Sequence, residues 1–309
     1  MAFRLLEQIS LAAGGANEDA HAHDGYAALV LDGATPLGPS LLPGPSDAAW
    51  IAGFGARRLM AHLKEHGARE ALRLTLEDTK KSFEGLTRKP IKERWQIPCA
   101  AMMLVVETFS DPLRLSHATT ASGLRATGTS PSNASHEGEA GPDSRQLEFF
   151  WFGDCAAIVA SGDAPAFIVG EGVESRGREA ARARIALDAG ITPTDRAKVL
   201  PLLRAGRGRI NSGNNWLFSP EPRAAAHAHH AAHSLATGTK LLLATDGFLA
   251  LASDYGAYDL DGLMAAAQSK GLAAMGAELR TIEKDDPKAQ KFPRFKTHDD
   301  ATALWLEVI

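Results

Sequence analysis

The sequence predicts an α+β fold in which two packed antiparallel β-sheets carry helices on their outer faces. The main observation is a set of short apolar segments, rich in β-branched or aromatic residues and bounded by turn-forming residues, as strands are. These predicted strands are 26–31, 100–106, 147–152, 156–160, 241–244 and 303–309. They do not alternate one-for-one with helices, as a doubly wound parallel sheet requires, and successive strands follow one another as in antiparallel meanders.

Helices are predicted where apolar residues recur at spacings of three and four. Two such patterns lie between the first and second predicted strands, and a third lies near the end of the chain. The residues that make the patterns are Ala52, Ala56, Leu59, Met60 and Leu63, then Leu72, Leu76, Thr79, Phe83 and Leu86, and finally Leu272, Met275, Leu279 and Ile282.

Composition describes a globular chain without an obvious polyanionic partner. The chain has 309 residues, of which 45% are hydrophobic and 23% charged, and its formal net charge is −4. This balance argues against nucleic acid or an anionic membrane as the main partner. Two cysteines, Cys99 and Cys155, are too few for a disulfide framework and are expected to be reduced. Neither a leader peptide nor an apolar run of about 20 residues is recognisable, so we expect a cytoplasmic protein.

Two segments have biased compositions. Residues 116–146 are mostly Ser, Thr, Gly, Ala and Pro, so this stretch is expected to be a disordered loop at a hairpin tip. Residues 224–233 contain four histidines within seven positions. Such histidines can bind a transition metal at helical spacing, but a solvated Ala/His helix or loop is the favoured interpretation because no cysteine or carboxylate accompanies them.

Acidic residues recur at the ends of predicted strands. Asp-Gly alone is a common turn, but carboxylates that converge on one rim of a sheet repel one another, and hard divalent cations relieve that repulsion. Mg²⁺ and Mn²⁺ prefer such oxygen ligands, so the pattern predicts a metal site. The acidic segments are Asn17-Glu18-Asp19, Asp32-Gly33, Gly153-Asp154, Asp246-Gly247 and Asp299-Asp300.

The order of these motifs, NEDA, LVLDGAT, GDCAAIV, LLLATDGF and DDATALWLEV, resembles that of the PPM family of type-2C serine/threonine protein phosphatases. The resemblance runs from about residue 14 to the C-terminus. It implies one domain over residues 1–309, a four-layer αββα sandwich, two or three Mn²⁺ or Mg²⁺ ions, and hydrolysis of phosphoserine, phosphothreonine or a small phosphoester by metal-activated water.

The resemblance also implies roles for individual residues. Asp32 would bridge two metal ions, with the carbonyl of Gly33 as a further ligand. Glu18 would bind one ion of the pair, while Asp246 and Asp299 would bind the other. The remaining acidic residues would act around this centre: Asp154 at a weaker third ion, and Asp19 and Asp300 by orienting ligands or waters from behind.

The sequence departs from the family at three positions. Gly14 stands where members usually carry a phosphate-binding arginine, and Ala34 and Thr35 replace the glycine and histidine that usually follow Asp-Gly. These differences resemble a divergent bacterial branch of the family. Arg207 and Arg209, in the interval of about 175–235 that holds a flap in the family, are candidates to replace the missing arginine.

Three other interpretations remain open. A catalytically inactive regulator of the same fold would bind phosphorylated partners, although its mark is the loss of metal ligands and the motif carboxylates are present. A haloacid-dehalogenase-like phosphatase needs a second carboxylate two residues after Asp32, where this chain has Ala34. A purely structural sandwich with acidic loops would fold without metal. The oligomeric state is not predicted by the sequence.

Overall fold

The computed structural model describes residues 1–108, 143–171, 181, 183–190 and 195–309. Its strands are β1 (Phe3–Leu11), β2 (Asp19–His23), β3 (Ala27–Gly33), β4 (Ala100–Glu107), β5 (Ser144–Phe152), β6 (Ala156–Ala160), β7 (Phe167–Gly170), β8 (His229–Ala236), β9 (Lys240–Ala244) and β10 (Ala301–Val308). Its helices are α1 (Asp47–Leu63), α2 (Ala68–Leu86), α3 (Arg196–Arg207), α4 (Asp246–Ser253), α5 (Leu260–Lys270) and α6 (Leu272–Asp285), with 3₁₀ turns at Arg94–Gln96 and Pro222–His227.

The strands form two five-stranded sheets, and the strand pairs within them are antiparallel. One sheet has the order β1-β10-β9-β6-β7, and the other has the order β2-β3-β4-β5-β8. The predicted fold class, two antiparallel sheets flanked by helices, is confirmed.

The inner strands are apolar on both faces because both faces are covered. In β3, Val30 faces the other sheet and packs in a cluster with Leu243 of β9 and Leu304 of β10. Its neighbour Leu31 faces outward, into a second cluster that includes residues of α1 and α2. On the far side, Trp305 of β10 packs with the helices α4, α5 and α6. The layers are therefore helices, sheet, sheet and helices.

The loop before α1 is fixed by its own side chains. Ser46 caps the helix by accepting a hydrogen bond from the Ala48 amide at 3.1 Å. The neighbouring Asp47 is buried, and its two oxygens accept from the amides of Leu41 and Leu42 at 2.8 and 3.1 Å. These bonds fix the segment that joins β3 to α1 against the start of α1.

Three predictions about biased or edge segments are corrected. Four strands were not predicted: β1, β2, β7 and β8. The Ala/His segment differs from the predicted solvated helix or loop in its second half, which belongs to β8 and pairs with β5, whereas its first half lies in the 3₁₀ turn Pro222–His227. The predicted loop 116–146 ends earlier than expected, since residues 144–146 belong to β5, and the rest of it lies outside the described residues. None of the helices in the described ranges is long and apolar enough to cross a membrane.

Candidate metal centre

Four aspartates from both sheets lie together at one end of the sandwich, and we call them the acidic cluster: Asp19, Asp32, Asp246 and Asp299. Asp19 begins β2 and lies directly opposite Asp32 of β3 in the antiparallel register. Asp246 begins α4 just after β9, and Asp299 lies just before β10. Electrostatic interactions link all four side chains. The predicted crowding of carboxylates at one rim is therefore present.

Two glycines allow the backbone to close around the cluster. A Cβ at Gly33 would lie 2.5 Å from the carbonyl oxygen of Ala48 and 2.6 Å from that of Glu18. A Cβ at Gly247 would lie 2.0 Å from the carbonyl oxygen of Asp300. Because neither position has room for a side chain, the glycine after each aspartate permits close approach of neighbouring segments.

The cluster shifts the pKa values of its own members upward. The pKa of Asp19 is raised to about 8, mainly by burial and also by the charges of Asp246 and Asp299, against the opposing effect of a 2.9 Å hydrogen bond from the Thr245 hydroxyl. The pKa of Asp32 lies well above its ordinary value because of burial and of the nearby charges of Asp246 and Asp19. Removal from water and like charge both favour the protonated acid.

Two carboxylate oxygens of the cluster are buried without a hydrogen-bond partner: Oδ1 of Asp19 and Oδ1 of Asp246. The carboxyl groups of Asp32 and Asp246 are also within hydrogen-bonding contact. A buried carboxylate oxygen without a donor is costly, and two adjacent carboxylates need a proton or a cation between them. Oxygen donors of this kind fit a hard divalent ion such as Mg²⁺ or Mn²⁺.

A lysine that sequence reasoning missed also reaches the cluster. The Nζ atom of Lys296 lies 2.6 Å from Oδ1 of Asp299. The pKa of Asp299 is raised to about 6, mainly by burial. The charge of Lys296 lowers this pKa, and the charge of Asp246 raises it. Dehydration lowers the pKa of Lys296, but the charges of the cluster outweigh it and the net shift is upward. Lys296 therefore stays protonated beside the aspartates.

The carboxylate of Glu18 is occupied elsewhere in this structure. It accepts hydrogen bonds from the hydroxyls of Thr35 and Ser46. Its backbone is held by Asp300, whose two oxygens accept from the amides of Ala13 and Glu18 at 2.6 Å each. The structure thus brings Asp19 rather than Glu18 into electrostatic contact with the other aspartates, and places Asp300 behind the loop that carries Glu18.

The other predicted residues lie at the edge of the site. Asp154 lies in the turn between β5 and β6, where it contributes, after burial and Asp32, to raising the pKa of the Cys155 thiol. Arg207, the last residue of α3, donates to the carbonyls of Ala34 and Thr35 at 3.3 and 3.5 Å. Arg209 is exposed two residues further on.

The described histidines and cysteines do not form a second site. Cys99 and Cys155 are free thiols, as predicted, and both are buried. The histidines of the Ala/His segment contact aromatic rings, with His229 stacked on Trp151 at 5.3 Å and His230 tilted against Phe150 at 4.7 Å. Within the described part of the chain, no group of three or more His, Cys, Asp or Glu side chains is already arranged to hold a metal ion, and this includes the acidic cluster as it stands.

Comparisons with known proteins find similarity among solved structures. No family model and no curated protein match the sequence. Among solved structures, the catalytic domain of the serine/threonine phosphatase PstP in complex with two manganese ions is 13% identical, with 100% of this chain and 99% of that chain covered and a TM-score of 0.46. PppA of Pseudomonas aeruginosa, a key regulatory component of T6SS, is 14% identical, with 100% and 99% covered and a TM-score of 0.49.

The PPM Ser-Thr phosphatase MsPP of Mycobacterium smegmatis, in complex with cacodylate, is 15% identical, with 98% of both chains covered and a TM-score of 0.47. Of these three solved structures, two are described as serine/threonine phosphatases, and one of those two as a PPM phosphatase. Because the identities are 15% or lower and the TM-scores are below 0.5, we transfer neither activity nor metal content from these proteins.

Proposed function

We propose that this chain is a metal-dependent phosphatase of the PPM type, which hydrolyses phosphoserine, phosphothreonine or a small phosphoester. The observation that carries the proposal is the acidic cluster, in which the buried Oδ1 atoms of Asp19 and Asp246 lack a partner. A protein interior tolerates such oxygens when a cation satisfies them. Oxygen-only donors favour Mn²⁺ or Mg²⁺ over softer metals.

The proposed ligands are the carboxylates of Asp32, Asp246 and Asp299 and the carbonyl of Gly33. Bound there, two divalent ions would supply an acidified water and would neutralise negative charge on the phosphoryl oxygens. Oδ2 of Asp19 accepts a hydrogen bond from the Thr245 hydroxyl, which fixes the side chain. Because its Oδ1 has no partner, we expect Asp19 to act close to the ions.

Two further carboxylates, those of Glu18 and Asp154, would bind metal ions under particular conditions. Glu18 would become a ligand by turning away from the hydroxyls of Thr35 and Ser46, which now donate to it. Asp154 would serve a third, weaker ion together with Asp246. Asp300 would act indirectly, since its hydrogen bonds to the amides of Ala13 and Glu18 position the loop that carries Glu18.

Substrate phosphate would be held by Arg207 or Arg209, because Gly14 offers no side chain. The guanidinium of Arg207 already contacts the two carbonyls that follow Gly33, close to the acidic cluster. Its planar fork is suited to gripping two phosphate oxygens. Arg209 lies at the surface two residues further on, and its guanidinium could bind the phosphate of a phosphoprotein substrate in the same way.

The proposal is tested by measuring p-nitrophenyl phosphate hydrolysis with and without Mn²⁺ on the full chain. We expect hydrolysis that depends on Mn²⁺ and is abolished by Asp246→Asn. The matched control is Asp163→Asn, an identical change at an exposed aspartate in the turn after β6, at the other end of the sandwich. Equal rates with and without Mn²⁺ after chelation would overturn the proposal.

A second candidate, an inactive PPM-fold regulator that binds phosphorylated partners, is favoured by a specific observation. The carboxylate of Glu18 is engaged by hydroxyls, and the ammonium of Lys296 already neutralises part of the cluster. Such a protein would bind a phosphoserine peptide without hydrolysing it. Release of inorganic phosphate from that peptide in the presence of Mn²⁺ distinguishes the enzyme from the regulator.

A further inference from the structure

The side chain of Lys296 is delivered to the acidic cluster by a segment that is anchored on both sides. Two residues before it, Arg294 donates to Oδ2 and to the backbone oxygen of Asp286 at 2.9 and 2.6 Å. Two residues after it, Nδ1 of His298 lies 3.0 Å from a carboxylate oxygen of the buried Glu283. Because Arg294 and His298 are both fixed by these hydrogen bonds, the fold itself positions Lys296 against Asp299.

Lys296 supplies the charge that a metal ion would otherwise supply. Its ammonium lies 2.6 Å from Oδ1 of Asp299 and interacts with Asp32 and Asp246 as well. These three carboxylates are the proposed metal ligands. A protonated lysine and a divalent ion cannot both lie against the same carboxylate oxygen without strong repulsion.

Part of the cluster has unpartnered oxygens even while Lys296 is in place. Asp19 is 9% exposed, and its Oδ1 has no partner, as is also true of Oδ1 of Asp246. Once a divalent ion has displaced the protons of the cluster, its four carboxylates, the Lys296 ammonium and that ion together carry one net negative charge. A first ion is therefore attracted much more strongly than a second.

We propose that the Lys296 ammonium occupies one of the two cation positions of the acidic cluster and must leave Asp299 before a second divalent ion can bind there. This inference rests on the proposed function. The chain takes up one ion readily and the other weakly, and the side chain of Lys296, which is 38% exposed, can swing out to solvent when the second ion enters. Lys296 thus sets the metal concentration at which the two-ion centre is complete.

The test is a calorimetric titration of Mn²⁺ into the metal-free full chain and three variants. For the wild type we expect a tight and a weak binding event. Lys296→Met removes the charge but keeps the length of the side chain, and should tighten the weak event by about tenfold or more. Lys296→Arg keeps the charge and should retain the weak event.

The control Lys288→Met makes the same chemical change at an exposed lysine earlier in the same segment and should titrate like the wild type. Folding of each variant is checked by thermal unfolding in chelator, where the loss of the Lys296 charge should lower the melting temperature and Mn²⁺ should restore it.

The outcomes separate this inference from the proposed function. Two binding events that are identical in the wild type and Lys296→Met would overturn the role of Lys296 and leave the metal-dependent phosphatase intact. Binding in Lys296→Met but not in the wild type would overturn the inference in this form, since the wild type would then not take up a first ion readily. The absence of Mn²⁺ binding in both proteins would overturn the inference and the proposed function together.

Discussion

Carboxylates at the two ends of the sheet that contains β9 and β10 have opposite surroundings, and their pKa values are shifted in opposite directions. At one end Glu307 lies between Lys240, at 2.5 Å, and Arg4, and these partners lower its pKa. At the other end, Asp299 lies among like charges, which include Asp19 of the facing sheet, and burial raises the pKa values of Asp299 and Asp19 to about 6 and about 8. One end of the sheet therefore has a carboxylate whose charge is neutralised by two cations, whereas the other end has more carboxylates than cations.

This difference indicates what each end is for. Pairing a carboxylate with two cations at a partly exposed edge is mildly stabilising. Placing several carboxylates together out of water costs folding free energy, because each charge loses hydration and repels its neighbours. A fold that needed only stability has no reason to keep the acidic cluster, so we interpret that end as a site prepared for cations.

The largest expected effect comes from Asp32, which lies at the centre of the cluster. Asp32→Asn should reduce Mn²⁺-dependent turnover of p-nitrophenyl phosphate by at least ~10³-fold, since metal activation of water supplies several kcal/mol of barrier reduction. The same chemical change at the neutralised end, Glu307→Gln, should leave turnover nearly unchanged. Equal turnover of the two variants would remove the distinction between the two ends.

Substrate binding should depend on the arginines beside the cluster. Arg207→Ala is expected to raise KM about tenfold, because a bidentate contact with phosphate is lost, and to leave Mn²⁺ affinity intact. Arg209→Ala is the paired variant at the neighbouring exposed site. Steady-state kinetics decide between them, and wild-type KM in both variants would mean that neither arginine holds the phosphate.

The metal-free chain should lose stability as pH rises. The folded-state pKa of Asp19 is about 8, above its ordinary value of 3.8. Between these two pH values, the folded protein therefore holds a proton on Asp19 that the unfolded chain has already lost. The free energy of unfolding therefore falls across that window. In chelator we expect the melting temperature to drop by about 5 °C between pH 6 and pH 8.

Asp19→Asn is the matched variant for that measurement. It should flatten the pH dependence in chelator, and saturating Mn²⁺ should flatten it in the wild type, because both remove the need for the proton. A pH profile that is the same for Asp19→Asn and the wild type would show that other groups cause the change.

The smallest effect is expected at the neutralised end. Glu307→Gln should lower the free energy of unfolding by about 1 kcal/mol or less, since exposed ion pairs contribute little. Its pH dependence has the opposite sign to that of Asp19. The pKa of Glu307 is lowered, so its contribution is present above its unfolded pKa and is lost as pH falls. Urea unfolding at pH 7 and pH 4 measures both properties.

Much of the fold was predictable because the inner strands are covered on both faces. Strand β4 is an uninterrupted apolar run, and such runs stand out in a sequence. Strand β8 was missed because it consists largely of alanine and histidine, which are not typical strand residues. It is held instead by its pairing with β5 and by ring contacts such as that of His229 with Trp151, and these contacts exist only in the folded chain.

The candidate site was predictable in outline and not in detail. The aspartates at strand ends were recognisable as a group, because acidic residues beside glycine recur there. The position of Lys296 was not, because it lies in an irregular segment whose course depends on Arg294 and His298. The hydroxyl partners of Glu18 were also hidden, since Thr35 and Ser46 meet it only when the loop before α1 has folded.

The most direct test of the acidic cluster as a cation site is a calorimetric titration of Mn²⁺ into the metal-free full chain, repeated on Asp246→Asn and Asp163→Asn. Asp246 presents a buried oxygen without a partner, whereas Asp163 is exposed at the other end of the sandwich. We expect Asp246→Asn to weaken Mn²⁺ binding by at least about tenfold, because a charged oxygen ligand is lost, and Asp163→Asn to bind like the wild type. Unchanged Mn²⁺ affinity in Asp246→Asn would contradict the account.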